Sequence, residues 1–264
     1  MTDKPVLELF GGDTQHPPAV FLHAYPLHRA MWRHQVESLS ETRRVITVDL
    51  PGFGESKELP AQITESKIED VARLVLDRVR GIGISKFTWV GCSMGGYLIM
   101  EVLRQAPQAV AHMILCDTRA DADSGDTRQK RKDQQQKIRD EGTGWLAEFV
   151  KENLLSVNTV KNSPGWANEL ASQAISANPD TILYYLDMLA NRPDSRATLK
   201  SCSVPTLLLV GEQDRVTPQA LHEDMHALLI NSSLEIVPHA GHLSPAENPA
   251  FVNEAIRQFL APKR

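Results

Sequence analysis

Cysteine is scarce in this chain: Cys92, Cys116 and Cys202 are the three among 264 residues. The number is odd and each lies in or beside an apolar run. That excludes a disulfide framework and implies buried free thiols in a reducing cytosol. Long hydrophobic runs are missing too: no window approaches the roughly 18 apolar residues of a membrane span. The opening "MTDKPVLELFGG" lacks a cationic segment followed by an apolar one, so it does not read as a signal peptide. No basic block stands out and the net charge is −5, which argues against a nucleic-acid partner. Repeats and low-complexity tracts are also absent.

What is present is a series of short apolar runs: "VLELF" (6–10), "AVFLHA" (19–24), "VITVDL" (45–50), "FTWVGC" (87–92), "AHMILCDT" (111–118), "TLLLVGEQD" (206–214) and "LEIVPHA" (234–240). Several are almost unbroken and rich in Val, Ile and Leu, as strands buried on both faces are. Helical spacing fills 66–80, 94–106, 218–229 and 248–261. In the first of these Ile68, Val71, Leu74, Val75 and Val79 share a face and Gly81 stops the pattern. Alternating strands and helices predict an α/β fold: a mostly parallel sheet flanked by helices on both faces. At 264 residues it can bury a sizeable core.

Residues 119–197 break the alternation. "DADSGDTRQKRKDQQQKIRDE" is almost wholly polar, an exposed helix or loop, and the apolar helical pieces "GWLAEFVKENLL", "WANELASQAI" and "TILYYLDMLA" follow. The segment reads as a helical cap, 119–197, inserted in a core made of 1–118 and 198–264. Most of its aromatics are expected to hold it to the body. Trp145, Phe149, Tyr184 and Met188, with Leu243 near the chain's last histidine, are the candidates for a substrate pocket.

"GCSMGG" (91–96) sets a lone Ser between glycines where a strand run ends and a helix run begins. In a G-x-S-x-G elbow the Ser backbone is strained, and the residues two before and two after must be small. Gly91 and Gly95 meet that need, and Gly96 lets the helix approach the sheet. The turn would lift the Ser93 hydroxyl above the sheet edge and aim the Met94 N–H at the same space. The plain alternative is a Ser in an ordinary strand-to-helix turn.

A Ser hydroxyl needs a base, and the base an orienter. Asp214 in "LLLVGEQDRVTP" and His242 in "IVPHAGHLSPAENP" each follow a strand run, in the order this architecture requires. Asp117, ending "ILCDT", is the competing acid, with Glu212 behind it. His239 is the competing base. A second oxyanion donor comes from a loop after an early strand, and Tyr25 N–H in "FLHAYPLHRAMW" fits. His23 reads as a loop histidine that bonds nearby backbone. His222 and His226 stand i, i+4 on a helix, but without a zinc-protease carboxylate they read as a solvated face, and no metal is implied. Cys92 is expected to point into the core.

With these motifs in view, and with "DLPGFGES" (49–56) and "VPTLLLVGEQDRVTP" (204–218), the sequence resembles the α/β-hydrolases over nearly its whole length. The resemblance implies a Ser93–Asp214–His242 triad, a helical cap between the sixth and seventh core strands, and no cofactor. "CDTRADADSGDTRQKR" and "NRPDS" resemble a carboxylesterase branch. The family usually has His-Gly where this chain has His23-Ala24, a change of little cost if φ there is not positive. The expected activity is cleavage of small-molecule carboxylic esters in the cytoplasm. A lactonase or carbon–carbon bond hydrolase of aromatic degradation, or a non-enzymatic ligand-binding relative, are the alternatives. Haloalkane dehalogenases and epoxide hydrolases resemble it less, since they carry Asp where Ser93 stands.

Overall fold

A computed structural model describes residues 5–12, 15–61, 63 and 65–261. Among them seven strands form one sheet: β1 (Val6–Phe10), β2 (Ala19–Leu22), β3 (Val45–Asp49), β4 (Phe87–Cys92), β5 (Val110–Cys116), β6 (Thr206–Gly211) and β7 (Ser232–Val237), in the order β1-β3-β2-β4-β5-β6-β7. β1 runs antiparallel to β3 and every other pairing is parallel. Every residue of β2, β3, β4 and β6 is buried, whereas the edge strands β1 and β7 keep partly exposed positions. This is why the central strands read as unbroken apolar runs.

Helices flank both faces of the sheet. α1 (Arg33–Leu39) packs against the last helix, α12 (Pro249–Leu260). α2 (Ile68–Arg80), α3 (Met94–Gln105), α9 (Arg196–Lys200) and α10 (Gln219–Leu228) form a second contiguous group, and the short α11 (Ser244–Glu247) leads into α12. In α2 the buried side chains are Ile68, Val71, Ala72, Val75, Leu76 and Val79, so the stripe is centred a little differently than expected and Leu74 is only half-buried.

Between β5 and β6 lie α4 (Gly125–Glu141), α5 (Leu146–Phe149) with a wider π turn at Val150–Leu154, α6 (Val157–Asn162), α7 (Pro164–Ala174) and α8 (Pro179–Asn191). The polar stretch is a helix, α4, with Ile138 its one buried residue. Ser124 caps it by accepting from Thr127 N, and it is seated on α8 by Arg128 to Ala190 O (3.1 Å) and Gln135 to Leu183 O (3.4 Å). Both chain crossings are clamped together: the buried Asp123 carboxylate pairs with Arg131 and Arg192, and Arg192 lies over the Tyr97 ring at 4.2 Å.

Two expectations need correction. The insertion falls between the fifth and sixth strands, not the sixth and seventh, because the sheet has one strand fewer before it among the described residues. Its far boundary also lies earlier: α9 begins at Arg196 and packs on α3 and α10, so the last residues of 119–197 belong with the body.

Candidate active site

The sheet delivers three loops to one place. Ser93 follows β4 directly, Asp214 lies three residues past β6, and His242 lies five past β7. Ser93 has φ 51° and ψ −111°, a conformation that L residues rarely take. Its N–H donates to Cys116 O at 2.9 Å. The glycines around it are required by contact: a Cβ on Gly91 would lie 2.5 Å from Gly95 C, one on Gly95 2.2 Å from Leu22 O, and one on Gly96 2.6 Å from Thr118 Oγ1.

His242 Nε2 stands 2.9 Å from Ser93 Oγ, and His242 Nδ1 stands 2.8 Å from Asp214 Oδ2. His242 and Asp214 are 2% and 6% exposed, so the pair is held away from water. Asp214 Oδ1 accepts from Val216 N (2.8 Å) and Thr217 N (3.0 Å), and Oδ2 from Thr217 Oγ1 (2.6 Å). Burial works against the charge on Asp214, but the facing imidazole and these donors hold its pKa below the usual carboxylate range. Burial would likewise depress His242; the Asp214 carboxylate and the hydrogen bond to it outweigh that and raise its pKa above 6.5. Thr217, which is not among the candidates read from the sequence, holds Asp214 through both its N–H and its hydroxyl.

Asp117 lies beside this set without being part of the line. It is fully buried at φ 48°, accepts Gly211 N on Oδ1 and Ser244 N on Oδ2, each at 2.9 Å, and has the Cys92 thiol 3.7 Å away. Burial and then the nearby Asp214 push its pKa well up. Cys92 is buried as expected, directly beneath the histidine loop, with Sγ 3.7 Å from His242 O. His239 is exposed and turned to Glu212, 3.7 Å from its carboxylate.

The loop after β2 is fixed from several sides. Leu27 N donates to Ala24 O (2.9 Å), Ala24 N contacts Met31 Sδ (3.3 Å), and Arg29 N donates to Asp49 Oδ1 (2.9 Å). His23 Nδ1 meets Ala24 O at 3.1 Å and Nε2 accepts from Leu50 N at 3.1 Å. Burial lowers its pKa to about 4, so it is a neutral structural residue. Ala24 is not at positive φ, so the departure from His-Gly is accommodated. Tyr25 sits mid-loop, half-buried and joined to Pro26 by a cis bond. Met94 opens α3, and its N–H has no partner within the helix.

The pocket candidates divide. Met188 and Leu243 are fully buried, and Trp145 and Phe149 pack edge to face with ring centroids 5.8 Å apart. Tyr184 does not turn inward: its hydroxyl donates to Glu65 O at 3.1 Å. The buried residues of α8 are Thr181, Ile182, Tyr185, Leu186, Met188 and Leu189, and Tyr185 packs on Phe53 at 4.8 Å. His226 is exposed as read, but His222 is buried, accepts Thr118 N at 3.1 Å, and has its pKa lowered by burial to about 4.

The alpha/beta hydrolase fold family matches residues 17–249. The chain belongs to that family. A pimeloyl-[acyl-carrier protein] methyl ester esterase from Vibrio campbellii is 30% identical over 94% of this chain and 96% of its own length. An enzyme from Acinetobacter baylyi named 3-oxoadipate enol-lactonase 2 is 24% identical over 94% and 90%. Among solved structures, a thermophilic esterase from Thermogutta terrifontis superposes with a TM-score of 0.90 at 35% identity, covering 97% of this chain and 92% of that one. The chain is therefore an α/β hydrolase of esterase type, and no described helix is long and apolar enough to cross a membrane.

Proposed function

We propose that the protein hydrolyses small to medium carboxylic esters through an acyl-enzyme on Ser93. The observation that carries this is the continuous line Ser93 Oγ, His242 Nε2, His242 Nδ1 and Asp214 Oδ2, with steps of 2.9 and 2.8 Å. His242 takes the Ser93 proton as Oγ attacks the ester carbonyl. The Tyr25 and Met94 amides stabilise the oxyanion. The tetrahedral intermediate collapses, the carbon–oxygen bond to the alcohol breaks, and His242 protonates the leaving alkoxide. Water, deprotonated by His242, then attacks the acyl-enzyme and releases the carboxylic acid and free Ser93. Asp214 fixes the Nδ1–H tautomer and stabilises the imidazolium.

The helical segment from α4 to α8 acts as a cap, with Met188, Leu243, Trp145 and Phe149 as pocket walls. The chemistry uses no cofactor. The three buried, free cysteines are in keeping with a cytosolic setting. A lactone is a cyclic ester open to the same steps, and the resemblance to an enol-lactonase favours including it as the second reading. Rates on a panel of p-nitrophenyl esters, lactones and thioesters test the proposal. Pre-steady-state release of p-nitrophenol in a burst near one equivalent is expected where deacylation limits turnover. Absence of turnover on every class would refute it.

A further inference from the structure

We infer that Glu247 is a positioning residue that couples the helical insertion to the candidate base, so that the insertion sets the place of His242 as well as covering the pocket. This rests on the assignment of His242 as the base. Glu247 lies five residues after His242, at the end of α11, and its two carboxylate oxygens face different parts of the fold. Oε1 accepts from Gly241 N at 2.9 Å and from Leu243 N at 3.1 Å, the two neighbours of His242 in the chain. Oε2 accepts from Ser156 N and from Thr159 Oγ1, each at 2.7 Å, at the start of α6 in the insertion. The N–H of His242 donates at 2.8 Å to Leu154 O, the last residue of the π turn before α6.

The backbone N–H groups of 241, 242 and 243 are thus all engaged, two by Glu247 and one by the insertion. The fit is also close. A Cβ on Gly241 would lie 2.7 Å from Ser156 N and 2.9 Å from Leu154 O, so the histidine loop and the insertion touch backbone to backbone. A carboxylate has about four acceptor sites, and here all four are used by donors. An amide cannot replace it, because one of its two ends is itself a donor. Glu247→Gln therefore leaves either the histidine loop or the start of α6 facing N–H against N–H. The imidazole must stay within hydrogen-bond reach of both Ser93 and Asp214, and a displacement of about 1 Å near reacting groups costs on the order of a hundredfold.

The test compares wild type with Glu247→Gln and Thr159→Val, which removes one donor from the insertion side while keeping the shape. Three readouts are taken on folded protein: kcat and KM for a chromogenic ester, the rate of Ser93 labelling by a fluorophosphonate, and the downfield proton resonance of the His242–Asp214 hydrogen bond. Glu247→Gln is expected to lower kcat and the labelling rate by about 10- to 100-fold, leave KM within about threefold, and shift or broaden the resonance. Thr159→Val is expected to change the same readouts in the same direction by about two- to fivefold. Unchanged kcat and resonance in either variant, whatever its melting temperature, overturn the inference, as does a rise in KM alone. The resonance reads His242 independently of turnover. Wild type with the resonance but without labelling or activity would refute the proposed reaction and leave the coupling to be judged on the resonance.

Discussion

Replacing Asp214 by Asn separates the role of this carboxylate from its shape. Asp214 Oδ1 accepts two backbone N–H groups, from Val216 and Thr217, while Oδ2 faces His242 Nδ1. An Asn must keep its carbonyl toward the two N–H groups, because its NH2 there would meet two donors. The NH2 then takes the place of Oδ2 and donates to His242 Nδ1. That fixes the proton on Nε2, 2.9 Å from Ser93 Oγ, where it cannot accept the serine proton. The same swap in a serine-protease triad lowers kcat about ten-thousand-fold, or roughly 5 kcal/mol of transition-state stabilisation. Asp117 supplies the control, since it is buried nearby but bonds Gly211 N and Ser244 N rather than the imidazole. Asp117→Asn should lose far less turnover and show its cost in the melt, through one unmatched N–H worth about 1–3 kcal/mol. Both variants are assayed on one p-nitrophenyl ester, with thermal melts alongside. Greater damage from Asp117→Asn, or an Asp214→Asn enzyme keeping a tenth of its turnover, would refute this reasoning.

Other outcomes follow from the same geometry. Since His242 must be neutral to accept a proton and its pKa is raised above 6.5, kcat/KM should climb with pH to a plateau with its midpoint above 6.5; a midpoint below that value would point to another base. His239→Ala should leave turnover within about twofold, because the side chain is exposed and turned to Glu212; at φ 62° its cost falls on stability instead. Gly95→Ala, which sets a Cβ 2.2 Å from the Leu22 carbonyl oxygen, should cost about 1–3 kcal/mol in urea unfolding; an unchanged midpoint would mean that α3 can shift freely. Met188→Ala and Trp145→Ala should alter the preference between octanoate and acetate esters more than acetate turnover itself, and equal effects on both would make these residues cap anchors only.

The strands were legible because β2, β3, β4 and β6 bury every residue, so their sequences could afford few polar interruptions. The elbow was legible because local sterics demand small residues at fixed offsets from Ser93. The interior of the insertion was not: α5 and α6 are four and six residues long, too short for a 3.6-residue period to register. α4 gave no apolar stripe because it buries only Ile138. Tyr184 and Tyr185 are adjacent in sequence but about 100° apart around α8, and of the two it is Tyr185 that is buried, against Phe53. Asp117 was visible as a carboxylate at a strand end, yet its partners come from Gly211 and Ser244, 94 and 127 residues away. Glu247 carried no signal, since its Ser156 and Thr159 donors reach it only after the insertion has folded onto the histidine loop.

The central claim is that Ser93 is a nucleophile activated by His242, and covalent labelling tests it most directly. Purified protein is treated with a fluorophosphonate, digested, and mapped by mass spectrometry, in parallel with Ser93→Ala and His242→Gln. The account predicts one phosphonylated residue, Ser93, in wild type, none in Ser93→Ala, and labelling slowed by several orders of magnitude in His242→Gln. Labelling that persists in Ser93→Ala, or that proceeds at the wild-type rate without His242, would contradict it.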